Sequence, residues 1–504
     1  MRYVGYSELF HDAGLAFVDK EGEIELAVHA ERFSGLKFDP NLTQEMLDMI
    51  RDDDHVTFYE DHDIRNKSIY HKGAIAEFGH DVWIDAMFRP VSNGSIQNLN
   101  NISSGLVYDD CITHHQSHAA AAYYTRPWES SEDTVTLTID GMGEAQSVCI
   151  YDHNLKLLDH WNNPKSIGVY YTQTVKSTGY KSMEDEYVIM GLSAYGNNKW
   201  GDDFIKKFNA LPPYDPDEPD IITRLMHESM HQHCIWIHDE IKKSSNEDSA
   251  ASIQKFAEHF IIDRVIEARK YGKKLCYGGG VAQNIVANSM IKELGIFDDI
   301  WIAPSPTDAG SALGAAAHSY CTATGNNRIN WNNSFLGTEI EGDPNPKAIV
   351  EYLLKHKVCG LATGKAEYGP RALGNRSLIA DVRYDVKDTV NEIKRRQKFR
   401  PFAPAIMEEF VDDYFDGPTN EYMQYQAKAL HDYKSVTHVD GTARVQVVKK
   451  DCGTVLRSVL EEYYEKTGVP MLLNTSLNIR GKPMVNTRND ARLWQAKYKV
   501  KVFS

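Results

Sequence analysis

Several things are scarce in this chain. Its seven cysteines (Cys111, Cys149, Cys234, Cys276, Cys321, Cys359 and Cys452) are scattered through 504 residues with no C-x-x-C pair. That excludes a disulfide framework and a cysteine zinc knuckle, and fits mostly buried thiols in a reducing cytoplasm. No apolar run reaches the roughly 18 residues that span a bilayer. The opening MRYVGYSELFHDAGL is broken by Glu8, His11 and Asp12 and does not read as a secretory leader. Membrane spanning and secretion are therefore not expected. Positive charge is also short, with 55 Lys and Arg against 71 Asp and Glu and a net charge of −16. Proteins that coat nucleic acid through phosphate contacts are usually basic, so that class is disfavoured. IKRRQKFR (393–400) is the clearest local exception. Internal repeats and low-complexity tracts are missing too.

What is present reads as ordinary globular composition, 42% hydrophobic and 25% charged, in a chain long enough for two or more domains. EIELAVHAERF and TVTLTIDGMG read as strands. SIQKFAEHFIIDRVIEARKYG (252–272) has apolar residues at helical spacing up to a glycine stop. It feeds KKLCYGGGVAQN, a short buried strand ending in three glycines. This alternation predicts α/β layers. Between 323 and 346 the text turns to Asn, Gly and Pro, the best linker in the chain. The pattern then restarts with a helix over 347–356 and the strand KVCGLAT. A first domain over 1–335 and a second over 345–504 are expected.

Two histidine pairs stand one helical turn apart, where both rings share a face and can grip a metal. His227-Glu228-x-x-His231 has the zinc-hydrolase spacing. Its flanks lack bulky apolar packing, however, and His238 and Glu240 follow too closely to supply a protease-type third ligand, so 227–233 reads as polar positions on a helix of the first domain. The other pair is His114 and His118 in THHQSHAAAAYY, followed by Asp140 at a strand-to-turn junction in LTIDGMGE. Two imidazoles and a carboxylate suit iron as well as zinc; the alternative is a helix cap and a packed core residue.

Glycines in CYGGGVAQN and SPTDAGSALGAA can turn backbone N–H groups toward an anion, and Asp308 in the second could reach a metal or polarise a phosphate. Farther on, Arg371 and Arg376 lie in GKAEYGPRALGNRS; Lys394, Arg396 and Arg400 in IKRRQKFRPFAP; Arg444 in HVDGTARVQ; and Ser476 and Asn478 in LNTSLNIRGKP. If these separated loops converge, they cradle phosphates and small carboxylate-like groups; otherwise they are surface charge near turns.

Taken in order, FHDAGLAF, HHQSHAAAA, IDGMGE, MGLSAYG, GGGVAQN, DAGSALGAA, GPRALGNRS, FRPFAP, HVDGTARVQ and LNTSLN resemble the ATP-dependent O-carbamoyltransferases of nodulation-factor and antibiotic tailoring. The match runs over nearly the whole chain. It implies an actin-like ATPase-type first domain and a twisted α/β second domain of the threonylcarbamoyl-adenylate-synthase type. The second would make carbamoyl-adenylate from carbamoyl phosphate and ATP, and the first would pass the carbamoyl group to an acceptor hydroxyl, leaving AMP. By motif, His114, His118, Asp140 and Asp308 match the family's Fe²⁺ site. His11, with Asp12 beside it, matches a histidine at the transfer reaction, where its pKa suits a general base. Gly278, Gly279, Gly280 and Asn284 match the nucleotide loop. Arg371, Lys394, Arg396, Arg444 and Ser476 match the carbamoyl-phosphate and adenylate contacts, with Asn478 in the same turn. The charge of carbamoyl phosphate and ATP together also asks for Mg²⁺.

The resemblance leaves the acceptor open. The stretch after ERFSGLKFD is shorter than in many relatives, which alters acceptor recognition. A hydroxymethyl-pyrimidine such as 5-hydroxymethylcytosine in DNA is the favoured expectation, and a sugar or antibiotic hydroxyl the alternative. Threonylcarbamoyl-adenosine synthesis on tRNA and a non-catalytic nucleotide-binding partner are the other classes. A homodimer is left open.

Overall fold

In a computed structural model the chain is described over residues 1–9, 11–61, 106–162, 165–210 and 232–504. It divides into two compact units. One comprises Met1–Glu25, Phe38–Ala287 and Gly295–Trp331; the other comprises Leu26–Lys37, Asn288–Leu294 and Asn332–Ser504.

The first ten strands form two five-stranded sheets. β1 (Tyr3–Ser7), β2 (Gly14–Val18), β3 (Ile24–His29), β4 (His55–Phe58) and β5 (Asp110–Cys111) lie in the order β3-β2-β1-β4-β5. β6 (Thr134–Ile139), β7 (Gln146–Tyr151), β8 (Leu157–Asn162), β9 (Lys274–Gly278) and β10 (Asp299–Ile302) lie in the order β8-β7-β6-β9-β10. In both sheets the first strand is antiparallel to the second and parallel to the fourth. The same open sheet is thus built twice, the arrangement of the actin-like fold. No repeat is visible in the sequence because this topology asks only for buried strands in a given order, and different side chains meet that demand. β1, β2 and β6 are buried along their whole length, so they appear as continuous apolar or Thr/Val runs without alternation.

Small residues decide how the helices meet these sheets. The helix Asp308–Thr324 packs on β1, where a Cβ on Gly5 would lie 2.0 Å from the Ala312 carbonyl oxygen. It also packs on the helix His114–Tyr124, where a Cβ on Gly314 would lie 1.9 Å from the Ser117 carbonyl oxygen. The small-residue run of DAGSALGAAA is therefore packing surface, and Asp308 is its first helical residue rather than a loop residue.

The second unit holds β11 (Phe335–Ile340), β12 (Val358–Ala362), β13 (Gly364–Glu367), β14 (Arg376–Ala380), β15 (Ala403–Met407), β16 (Phe415–Asp416), β17 (Ala427–Ala429), β18 (Thr442–Ala443), β19 (Gln446–Val448), β20 (Met471–Ser476) and β21 (Val502–Phe503). Its main sheet is mixed, in the order β19-β15-β20-β14-β12-β21. Alternation sends Leu378, Ala380 and Leu473 into one core with Trp494, and Ile379 and Leu472 into another with Leu353, Leu456 and Tyr463. Part of the stretch read as linker is structured, since β11 pairs antiparallel with β13. The expected strand EIELAVHAERF is also shorter than it reads, ending at His29 before a helical turn at Glu31–Ser34. Among the described residues no helix is long and apolar enough to cross a membrane.

Candidate functional site

Thr113 caps the helix His114–Tyr124, its hydroxyl accepting from the Gln116 N–H. This sets His114 and His118 on one face, one turn apart. Their Nε2 atoms lie 3.1 Å from each other. Asp140, just past the end of β6, brings Oδ2 to 2.9 Å from His114 Nε2 and 3.3 Å from His118 Nε2. Asp308 brings Oδ1 to 3.4 Å from His118 Nε2. All four donor atoms lie within 4.8 Å of one another, on buried or nearly buried side chains.

The outer nitrogens have partners of their own. His118 Nδ1 lies 3.0 Å from Ser311 Oγ, and His114 Nδ1 lies 3.2 Å from the carboxylate of Glu60. In neutral rings with the proton on those nitrogens, both Nε2 atoms can turn a lone pair toward a metal ion beside the two carboxylate oxygens. Four such groups converging in a buried space are a set that can hold a metal ion, and carboxylate- and hydroxyl-supported histidines are the usual way a protein orients metal ligands. Two imidazoles and two carboxylates fit iron, zinc or manganese. Burial alone would lower the pKa of His114, yet Asp308, Asp140 and Glu60 outweigh it and hold the ring well above its ordinary value. Burial would raise that of Asp140, and the two imidazoles hold it well below. His115, by contrast, turns away to Thr138 Oγ1 and the Gln146 carbonyl, and burial pushes it down to about 3. It is a packed core histidine.

His11 sits on the loop between β1 and β2, and that loop is strapped by Leu9 N–H to the Pro40 carbonyl and Ala13 N–H to the Asp39 carbonyl. Asp12 adopts a left-handed backbone (φ 59°), a conformation that aspartate tolerates better than most residues. His11 Nε2 lies 3.7 Å from Asp308 Oδ2, on the far side of that carboxylate from His118, and Nδ1 lies 3.7 Å from Asp12 Oδ2. Burial opposes protonation, but Asp308 and Asp12 outweigh it and push the ring up to about 9. A cation held by Asp308 would share that charge and return His11 toward the range in which it can accept a proton.

The three-glycine turn is built against the same centre. Gly279 has φ 88° and would bring a Cβ to 2.2 Å from the Ile139 carbonyl oxygen, so only glycine fits. Gly278 backs on the His118 carbonyl. The Gly280 N–H donates to Asp140 Oδ1 at 2.8 Å, so this amide holds the carboxylate that faces the two histidines. Asn284 accepts from the Ala287 N–H at the start of a helix and exchanges amide hydrogen bonds with Gln254. His227 and His231 lie outside the described residues. His238 meets Ser177 Oγ, and Glu240 pairs with Lys243.

In the second unit the predicted cations do converge. Lys394 is buried, with Nζ 2.8 Å from Asn478 Oδ1, 3.1 Å from Ser476 Oγ and 2.5 Å from the Ser476 carbonyl oxygen. Burial, then Arg396 and Arg400, hold its pKa well below the ordinary lysine value. Arg444 is depressed in the same way by burial, Arg371 and Arg400, and its Nε is buried without a hydrogen bond. Cations that press on one another, with a donor left over, are suited to a multiply charged anion. Arg396 is partly a scaffold, donating to Asn391 Oδ1 and the Pro401 carbonyl while stacking on Phe402. Arg376 differs altogether. Fully buried, it donates to the carbonyls of Asn486, Thr363, Gly364, Asn375 and Thr338, which is a structural role. Glu60, Ser311 and Glu144, whose carboxylate accepts the His114 N–H at 2.7 Å, surround the His/Asp set and were missed from sequence; their only signal is that Glu144 closes IDGMGE and Ser311 lies in DAGSALGAA.

Comparison with known proteins bears on both units. Residues 106–317 match the family model described as carbamoyltransferase N-terminus, and residues 350–503 the model described as carbamoyltransferase C-terminus. The nodulation protein NolNO of Sinorhizobium fredii is 28% identical over 95% of this chain and 76% of its own. Nodulation protein U of Rhizobium tropici is 33% identical over 48% of this chain and 46% of its own. Among solved structures, the activator of 2-hydroxyisocaproyl-CoA dehydratase from Clostridium difficile with bound ADPNP aligns over 64% of this chain and 96% of its own, at 15% identity and a TM-score of 0.35.

Proposed function

This chain belongs to the carbamoyltransferase family, and from that premise we propose that it is an ATP- and carbamoyl-phosphate-dependent O-carbamoyltransferase whose two units divide the reaction. In the second unit, Arg371, Lys394, Arg396, Arg444, Ser476 and Asn478 receive carbamoyl phosphate and ATP with Mg²⁺. Carbamoyl phosphate, ATP and water become carbamoyl-adenylate, phosphate and pyrophosphate. In the first unit, the acceptor hydroxyl attacks the carbamoyl carbon, its proton passes to His11 Nε2 oriented by Asp12, and AMP leaves. His114, His118, Asp140 and Asp308 would hold Fe²⁺, which supplies a Lewis acid to polarise a carbonyl or steady a phosphate. Gly278, Gly279, Gly280 and Asn284 form the floor against which AMP departs.

The observation that supports this reading most is that burial first, and then neighbouring cations, depress both Lys394 (Arg396 and Arg400) and Arg444 (Arg371 and Arg400). Such a cluster is at rest only with anionic charge in it, and adenylate formation brings that charge. We take the acceptor to be a sugar or other small-molecule hydroxyl. With a net charge of −16, and with these cations close enough to act on one another, the chain is suited to a phosphate-sized ligand rather than a duplex. The test is incubation with ATP and carbamoyl phosphate, following pyrophosphate and AMP, with either a hydroxylated oligosaccharide or a duplex containing 5-hydroxymethylcytosine as acceptor. Carbamoyl gain on the oligosaccharide alone supports the reading, and gain on the duplex replaces the acceptor. ATP use that depends on threonine and bicarbonate instead would mark the tRNA-modifying class, and absence of pyrophosphate release would mark a non-catalytic partner.

A further inference from the structure

The loop carrying Arg371 is held from several sides, and two of its holders have no assigned part in the chemistry. Gln446 on β19 and Asn474 on β20 are buried, 4% and 1% exposed. They flank β15, and the register opposes Gln446 to Ala405 and Asn474 to Ala403. Those alanines lie two apart on one face of β15 and leave room above it. Across that gap Asn474 Nδ2 donates to Gln446 Oε1 at 2.6 Å. Each amide then reaches the Arg371 loop, Asn474 Nδ2 donating to the Ala372 carbonyl at 3.0 Å and Gln446 Nε2 to the Leu373 carbonyl at 2.7 Å.

The opposite side of the same peptides is also taken. Glu367 Oε1 accepts the N–H groups of Leu373, Asn375 and Arg376 at 2.8, 2.9 and 3.1 Å. Leu373 is thus pinned through both its N–H and its carbonyl. The loop runs between Gly369 and Gly374, with φ 127° and 129°, and Arg371 rides on it just before the pinned peptides. Gln446 is two residues from Arg444, and Asn474 two residues from Ser476 on the same strand. One pair of amides therefore ties the positions of three anion-binding groups that lie far apart in sequence.

We propose that Gln446 and Asn474 are positioning residues that set Arg371 relative to Arg444 and Ser476 for the anion. The proposal rests on the reading of this cluster as the carbamoyl-phosphate and ATP site. A charge-assisted contact with a phosphate depends steeply on geometry, and a loop between two positive-φ glycines has no fixed shape of its own.

The test measures binding of carbamoyl phosphate to the full chain by calorimetry in four forms: wild type, Gln446→Met, Arg371→Ala and the double variant. Gln446→Met keeps the side-chain volume and removes both the donor to Leu373 and the acceptor from Asn474. Loss of the hydrogen bond that holds the Leu373 carbonyl predicts about tenfold weaker binding, and coupling predicts that the same change weakens Arg371→Ala by less than about twofold. Asn474→Ala is the second variant, should Gln446→Met perturb folding, and the same non-additivity is expected. Equal losses in both backgrounds, as general loosening would give, overturn the proposal. A wild-type chain that binds neither carbamoyl phosphate nor pyrophosphate overturns the anion site and the proposal with it.

Discussion

His118 Nε2 faces His114 Nε2 at 3.1 Å, and the other nitrogen of each ring is engaged from behind by Ser311 or Glu60. Neutral imidazoles so turned, together with the carboxylates of Asp140 and Asp308, offer four ligand atoms to one cation. The first unit is therefore predicted to bind one divalent metal per chain, detectable by elemental analysis and lost in His118→Ala. Because Glu60 orients His114, Glu60→Ala is predicted to weaken the metal by about 10–100-fold in chelator competition. Unchanged affinity in Glu60→Ala would mean that the contact is incidental.

The roles assigned to the two units predict separable chemistry. In His11→Asn, pyrophosphate release that depends on carbamoyl phosphate should continue, while carbamoylation of acceptor falls by roughly 10²–10⁴-fold, the range for a lost general base. Retention of the parent transfer rate would remove His11 from the reaction.

Lys394 gives a pH dependence whose sign can be worked out. Its pKa is depressed in the folded chain by burial, Arg396 and Arg400, whereas the unfolded lysine titrates at its ordinary value. Between the two, the unfolded state holds a proton that the folded state lacks, so stability of the ligand-free chain rises with pH in that window. An anion favours the ammonium form, so binding takes up a proton and affinity for carbamoyl phosphate should fall as pH rises through the depressed pKa. Lys394→Met should flatten that slope in calorimetry over a pH series.

Arg371 in its loop and Arg376 at the start of β14 should fail differently. Arg376 satisfies five carbonyls from full burial, and its truncation leaves them unpaired at several times about 1–3 kcal/mol each before relaxation. Arg376→Ala should therefore lower the melting temperature sharply or abolish folding. Arg371→Ala should leave melting nearly unchanged and weaken anion binding. Arg444→Met should raise the melting temperature of the ligand-free chain while losing the anion, because it removes a buried cation pressed by like charges.

What could be read in advance divides along physical lines. The helix over His114–Tyr124 was legible from a threonine cap followed by small helix formers, and the end of β6 at Asp140 from a Thr/Val run meeting glycine. The convergence of Arg371, Lys394 and Arg444 was legible only as a condition, since loop residues carry no record of where they meet. Glu60 was invisible because nothing local distinguishes a carboxylate after a short strand from any surface acid, and its partner lies 54 positions away. Gln446 and Asn474 looked like polar residues inside strands, and their purpose appears only when Ala403 and Ala405 are seen to leave the gap between them. The glycine turn carried a true signal of close backbone approach, and part of that approach serves Asp140.

The most direct test of the account is mass spectrometry of a hydroxylated oligosaccharide incubated with the chain, ATP, carbamoyl phosphate and Fe²⁺. The account predicts a product heavier by one carbamoyl group, with AMP, phosphate and pyrophosphate formed alongside. An unmodified acceptor with no pyrophosphate released would contradict it.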